Sequence, residues 1–327
     1  MAAKPAPAYS TAMPDTPDSA RSPLRVAVSG ATGLVGKALC AALRARGDTV
    51  CPIVRSAKGL PGEVLWDTDK HTFDADALAE CDAVVHLAGE NIVGRWTDEK
   101  KKSVRDSRVD STRGLSETLA ALGDRGPKTL ICASAIGYYG DTGQSDARTE
   151  ADPPGDDYLA EVCVQWERAA DPARAAGLRV VHTRVGIVLT PEGGALAAML
   201  TPFKLGVGGR LGDGRQWMSW VSLTDLVRIL LYALDTPTLS GPCNAAAPQP
   251  VTNRDFTKTL GRVLGRPTLL PVPSFVPKLL YGKEAAEALV LGSIRAMPGV
   301  LQDAGFRFEH PTLDAALRHE LDRERRL

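Results

Sequence analysis

The sequence has no apolar run near the roughly 20 residues that a membrane-spanning helix needs. Its first residues lack the apolar core of a secretory signal, so a cytoplasmic protein is expected. It has no Cys-x-x-Cys pair and no His–Cys cluster at metal-ligand spacing. Cys40, Cys51, Cys81, Cys132, Cys163 and Cys243 are scattered, several inside apolar runs. Buried reduced thiols are therefore expected, not a disulfide framework or a metal centre. Nor is there an excess of charge: 39 Lys plus Arg face 39 Asp plus Glu. That balance excludes a general binder of nucleic acid or anionic membranes, although a local basic patch stays compatible with it. A small-molecule partner is expected, with no nucleic acid and no membrane. No internal repeat is visible.

The 327 residues suffice for two domains, or for one large domain with an appended piece. Residues 1–23 are rich in Pro, Ala, Ser and Asp and are expected to be a disordered tail. From Leu24 short β-rich runs alternate with helical stretches. Leu24–Gly30, Thr49–Val54, Glu63–Trp66, Ala83–Ala88, Thr129–Ser134 and Leu178–Leu189 are predicted strands. Leu34–Arg46, Asp98–Leu122 and Asp156–Ala176 are predicted helices. Such alternation implies right-handed βαβ units and a doubly wound parallel α/β sheet of Rossmann type. After Pro191 glycines crowd together, from Gly193 to Gly214, and a loop-rich substrate side is expected there. Helices return at Leu223–Leu234, Asn253–Leu264 and Ala285–Leu291. The expected organisation is a nucleotide-binding domain over 24–240 and a smaller helical region over 270–320.

Strand one runs into Gly30-Ala31-Thr32-Gly33-Leu34-Val35-Gly36 and then into a helix. Gly30 permits the tight turn, Gly33 lets the backbone approach a pyrophosphate, and Gly36 lets helix and sheet pack closely. The helix N-terminus offers N–H groups and a positive dipole end to phosphates. Strand two ends in Val54 with no carboxylate, and Arg55 follows. A guanidinium suits a 2′-phosphate, so NADP(H) is the expected dinucleotide.

The runs VSGATGLVG, AVVHLAGENI with Arg95-Trp96, ASAIGYYGDTG and LGDGRQWMSWVSLTDL resemble the extended short-chain dehydrogenase/reductases. They are most similar to the atypical epimerase-family branch, whose bacterial members are called nucleoside-diphosphate-sugar epimerases or cell-division inhibitors. That branch ends in a small domain of unknown function, which the chain from Pro273 to Glu320 resembles. The resemblance implies cofactor contacts at Gly30, Thr32, Gly33, Leu34, Val35 and Gly36, at Arg55, and at Leu87, Ala88 and Gly89. It also implies contacts at Arg108 and Val188, with Asp67 toward the adenine, and a monomer or a homodimer.

The same resemblance shows where the chemistry departs. Ordinary extended members use Ser or Thr, Tyr, and a Lys four residues after the Tyr, which lowers the Tyr pKa. Here Tyr158 is present, Val162 stands in the Lys position, Ala135 in the Ser position with Ser134 beside it, and Arg108 replaces an Asn. Two readings follow. An active oxidoreductase or epimerase would rearrange its acid–base groups among Tyr158, Ser134, Tyr138 and Tyr139, with Glu90 and Glu161 as carboxylates. A noncatalytic NADP(H)-binding sensor or scaffold would need none of them. A Tyr without its Lys keeps a pKa of about 10 and is a poor base at neutral pH.

Other features have plain structural readings. His86 is expected to be a satisfied core histidine, Lys100–Lys102 a solvated helix face, and Ser222 with Asp225 a helix cap. Trp217 and Trp220 are expected in the core. Arg210 and Arg215 in the glycine-rich stretch are the candidates for a substrate phosphate.

Overall fold

The structure, a computed structural model, describes residues 22–144 and 146–326. Almost all of the expected N-terminal tail lies outside the described residues. The first half runs β1 (Arg25–Ser29), α1 (Leu34–Ala45), β2 (Thr49–Val54), β3 (Val64–Asp67), β4 (Thr72–Phe73), α2 (Ala75–Ala79), β5 (Ala83–His86), α3 (Asp98–Leu122) and β6 (Thr129–Ala135). It continues through α4 (Tyr158–Arg168), α5 (Asp171–Ala175), β7 (Arg179–Val185), β8 (Ile187–Leu189), α6 (Gly194–Lys204), β9 (Trp217–Met218), β10 (Trp220–Ser222), α7 (Leu223–Asp235) and β11 (Gly241–Ala245). The chain ends with β12 (Val251–Thr252), α8 (Asn253–Leu264), α9 (Phe275–Tyr281), α10 (Lys283–Ala286), α11 (Gly299–Asp303) and α12 (Leu313–Arg326).

Eight strands form one sheet in the order β11-β7-β6-β5-β1-β2-β3-β4, parallel except for the β3–β4 pair. Strand order reverses between β1 and β5, which opens a crevice at their carboxyl ends, where doubly wound sheets bind ligands. Successive side chains point to opposite faces. Val26 and Val28 pack with Leu39 and Leu43 of α1 and with Leu226 and Leu230 of α7, while Ala27 joins Leu115 and Leu119 of α3. Both faces are covered, which explains the near-continuous apolar strands. A third core gathers Leu196 and Phe203 of α6, Trp220, Phe256 of α8, and Leu313 and Leu317 of α12.

Three elements differ from the sequence expectation. The run Leu178–Leu189 breaks at Gly186, so β7 stays in the main sheet and β8 pairs with β10. A Cβ at Gly186 would lie 2.8 Å from the Ser219 carbonyl, and only glycine admits that strand change. The helix predicted over Asp156–Ala176 divides into α4 and α5, where Pro172 starts a new first turn. The first part of the glycine-rich stretch is helix α6, whose apolar Leu196, Leu200 and Phe203 enter the third core; only residues 205–214 form the loop.

All six cysteines are buried and unpaired. Among the described residues no helix is long and apolar enough to cross a membrane, and no group of His, Cys, Asp and Glu could hold a metal ion.

Candidate functional site

The glycine turn closes with the Gly33 N–H donating to the Gly30 carbonyl at 2.9 Å. Gly30 has φ +65°, and a Cβ there would stand 3.0 Å from the Leu87 carbonyl. A Cβ at Gly36 would lie 2.1 Å from the Gly30 oxygen. Gly33 precedes α1 without a side-chain cap, and the first turn of α1 carries no acidic residue. The opening N–H groups of α1, from Leu34 onward, have no intrahelical partner. Beside exposed Thr32 and Gly33 they form an anion cradle. Leu34 and Val35 are half-buried, and Leu34 packs near Gly193, which a Cβ would bring to 3.5 Å. Arg55 is exposed just beyond β2 and has no ion-pair partner among the described residues. Asp67 spends its carboxylate on its own turn, accepting the N–H groups of Asp69 and Lys70.

The crevice edge after β5 is held by a proton-ordered chain of hydrogen bonds. The Ser29 hydroxyl lies 2.8 Å from His86 Nδ1 and accepts the N–H groups of Leu87 and Ala88 at 3.0 and 3.1 Å. His86 Nε2 lies 3.1 Å from the Ser111 hydroxyl, which donates to the Ser107 carbonyl at 2.7 Å. One tautomer satisfies the whole chain: Ser29 donates to Nδ1, and Nε2–H donates to Ser111. Burial pushes the His86 pKa down to about 4, so the ring is neutral at pH 7. It is the core histidine expected, with the added task of fixing Leu87 and Ala88 over the crevice.

A pH dependence follows from this ring and from His182, whose pKa burial also lowers to about 4. In the unfolded chain each histidine titrates at about 6.5. Between these values the unfolded state binds more protons, so stability rises with pH and falls as pH drops from about 6.5 toward about 4. Thermal melts across this window should show that slope, and His86→Gln should flatten it. An unchanged slope in the variant would remove His86 from the account.

Arg108 of α3 reaches the same edge. Its guanidinium lies over the Trp166 ring at 5.1 Å, donates to the Val104 carbonyl, and would be 3.3 Å from a Cβ at Gly89. Burial holds its pKa below the usual arginine value. Glu90 pairs with Lys100 at 2.7 Å. Val188 lies half-buried on β8, at the side of the first core.

Of the three candidate catalytic hydroxyls, Ser134 and Tyr139 meet in one hydrogen-bonded network, while Tyr158 bonds elsewhere. Tyr158 opens α4 and donates to the Lys101 carbonyl of α3 at 2.6 Å, with Trp96 edge-on at 5.3 Å. Burial raises its pKa, against the pull of Arg108. Tyr158 borders a groove of about 320 Å³ between α3 and α4 that Glu161 and Val162 also line. Ser134 donates to Glu167 at 2.8 Å, and Tyr139 donates to Asn244 at 2.8 Å. Burial pushes the Tyr139 pKa up to about 12. Between them lies Arg184, bonded twice to Glu167 and once to the Tyr139 oxygen, with its guanidinium 3.4 Å from the Tyr138 ring centre. Ser134 and Tyr139 thus both bond to the Arg184–Glu167 ion pair. Sequence reading missed Arg184 and Glu167; the available signal was the polar run His182-Thr183-Arg184 in the interior-facing strand β7.

On the substrate side Trp220 is fully buried, and Trp217 lies under the Arg295 guanidinium at 4.4 Å. Arg215 is exposed, and Arg210 is half-buried beside Gly214. Ser222 caps α7 by accepting the Asp225 N–H, as expected, while the Asp225 carboxylate also accepts the N–H groups of Glu309 and His310.

Comparison with known proteins agrees with this geometry. Residues 26–244 match the sequence profile of the NAD dependent epimerase/dehydratase family, and residues 272–320 match a domain of unknown function, DUF1731. The chain is similar to an epimerase family protein of Mycobacterium bovis, 48% identical over 293 residues that span 89% of this chain and 96% of that one. Its fold is similar to that of the human epimerase family protein SDR39U1 crystallised with NADPH. The TM-score there is 0.81 at 34% identity, over 91% of this chain and 99% of the human chain. It is also similar to a nucleoside-diphosphate sugar epimerase from Corynebacterium glutamicum, with a TM-score of 0.76 and 38% identity. That match covers 92% of this chain and 58% of the other.

Proposed function

Because the chain belongs to the NAD dependent epimerase/dehydratase family, as an atypical extended short-chain dehydrogenase/reductase, we propose that it binds NADP(H) and acts as an oxidoreductase or epimerase-type enzyme. Its substrate in this reading is a small carbonyl or hydroxyl compound or a sugar nucleotide. The carrying observation is the glycine cradle on α1 together with an exposed Arg55, and no carboxylate, at the end of β2. The similarity to a human relative crystallised with NADPH supports the choice of phosphate. The bound cofactor would supply or accept hydride. The chain would hold the pyrophosphate on the first turn of α1, the 2′-phosphate at Arg55, and the ribose edge along Leu87, Ala88 and Gly89 beside Arg108. The partner is a small molecule, and the setting is a cytoplasmic monomer or homodimer.

One observation favours a second reading, binding without turnover. The Tyr158 proton is committed to the Lys101 carbonyl, and Val162 supplies no cation to lower its pKa. Fluorescence titration separates cofactor choice from turnover. NADPH should bind more tightly than NADH, and Arg55→Ala should cost NADPH about tenfold or more, as expected for a charge-assisted phosphate contact, while sparing NADH. Equal loss for both cofactors would remove Arg55 from the phosphate. NADPH oxidation with a carbonyl panel, lost in Tyr158→Phe, would establish turnover through that hydroxyl; no oxidation with any carbonyl would favour the sensor reading.

A further inference from the structure

We propose that the face formed by residues 204–215 and 266–283 docks the protein on an anionic lipid surface. Ten large apolar side chains are exposed among the described residues, and seven of them lie on these two segments. Leu205 and Val207 stand on one; Leu269, Leu270, Phe275, Leu279 and Leu280 stand on the other, with exposures from 56% to 88%. The segments adjoin through their backbones. The Val272 N–H donates to the Arg210 carbonyl at 2.8 Å, and the Gly212 N–H donates to the Val272 carbonyl at 2.9 Å. A Cβ at Gly209 would meet the Leu270 carbonyl at 1.7 Å, so glycine is what lets the second segment lie against the first.

Monomeric proteins rarely expose contiguous apolar surface beyond a few hundred Å² or so without a use for it. Charge selects the occupant. The two segments carry Lys204, Arg210, Arg215, Arg266, Lys278 and Lys283 against the single acid Asp213, an excess of five in a chain balanced overall. Lys278 pairs with Glu287 at 2.7 Å from outside the segment, and Lys204, Arg215, Arg266 and Lys283 are solvent-exposed. Apolar segments rich in lysine and arginine are the composition that seats a protein in the headgroup region of an anionic bilayer. The long basic side chains can lay their stems along the apolar surface and keep their charges in water. The proposal departs from the expectation of no membrane partner, because overall neutrality conceals a local basic excess. Arg95 donates to the Leu279 carbonyl at 3.0 Å, which ties this face to the loop that leaves the cofactor edge.

The full chain should sediment with vesicles of phosphatidylcholine and phosphatidylglycerol and not with phosphatidylcholine alone. Binding should weaken as salt rises, through screening of the basic side chains. Leu279→Ser with Leu280→Ser should lower the bound fraction about tenfold or more; both side chains are exposed, so the melting temperature and NADPH binding should stay at wild-type values. No sedimentation with anionic vesicles would overturn the proposal. So would a dimer on gel filtration that the double variant dissociates without any vesicle binding, since the face would then serve a second copy of this chain. Equal binding to neutral vesicles would overturn the role of the basic side chains.

Discussion

Gly36→Val should abolish measurable NADPH binding and lower the melting temperature, whereas Gly33→Ala should remove binding with little loss of stability. Both residues belong to one turn, but their surroundings differ. A Cβ at position 36 would lie 2.1 Å from the Gly30 oxygen, 2.8 Å from its carbonyl carbon and 2.9 Å from the Ala31 Cα. All three are backbone atoms, so no side chain can rotate away. Helix α1 would have to back off from β1, yet Leu39 and Leu43 hold it in the first core. Overpacking in cores typically costs about 1–3 kcal/mol, and a contact with backbone belongs at the upper end or beyond. A displaced α1 also carries its N–H groups away from the cradle. A Cβ at position 33 would meet only the Gly30 oxygen, at 3.2 Å, a contact that a few tenths of an ångström relieves. Its effect falls on the pyrophosphate, which needs that space. Titration with NADPH and thermal melts of both variants, with exposed Lys258→Ala on α8 as the neutral control, test the pair. Wild-type affinity in Gly36→Val would show that the cofactor lies elsewhere.

The architecture was legible because its signals are local and repeated. Val26 to Ser29 alternate between two buried faces, Gly30 must turn, and Leu34 begins a helix within five residues. The same applies to Ser222, whose cap on α7 needs only the residue three positions on. What remained hidden depends on distant partners. Gly186 ends β7 because of Ser219, and Gly209 is glycine because of Leu270. His86 could be assigned to the core by its apolar neighbours, but its bonds to Ser29 and Ser111 join residues 57 and 25 positions apart. The catalytic candidates show the limit most clearly. Ser134 and Tyr139 stand near the expected positions in sequence, yet their partners Glu167, Arg184 and Asn244 come from α4, β7 and β11. No spacing rule within one segment reveals such a meeting.

Arg184→Met should therefore be among the most destabilising substitutions in the chain, at about 3–5 kcal/mol, the cost of leaving a buried carboxylate without its counter-charge. The Arg184 and Glu167 side chains are only 3% and 13% exposed, so water cannot readily replace the lost partner. The guanidinium donates to both Glu167 oxygens, at 2.8 and 2.9 Å, and to the Tyr139 oxygen at 3.0 Å. Tyr139 then donates to Asn244, whose side-chain amide donates to the Met297 carbonyl at 2.9 Å. Glu150 accepts the Asn244 N–H at 2.8 Å, so a second carboxylate holds the same strand end. Loss of Arg184 releases the sheet edge and the C-terminal segment together. Arg184→Met combined with Glu167→Leu should recover much of the stability, because removing both charges removes the desolvation cost along with the attraction. Denaturant melts of the two singles and the double form a cycle whose coupling term measures the pair; a coupling of zero would show that the two charges act separately. Ser134→Ala removes one hydrogen bond to Glu167 and should cost about 1 kcal/mol. If Ser134 serves this network and not a proton relay, that variant will lose melting temperature while cofactor affinity and any NADPH oxidation stay unchanged. A rate loss without a stability loss would return Ser134 to the chemistry.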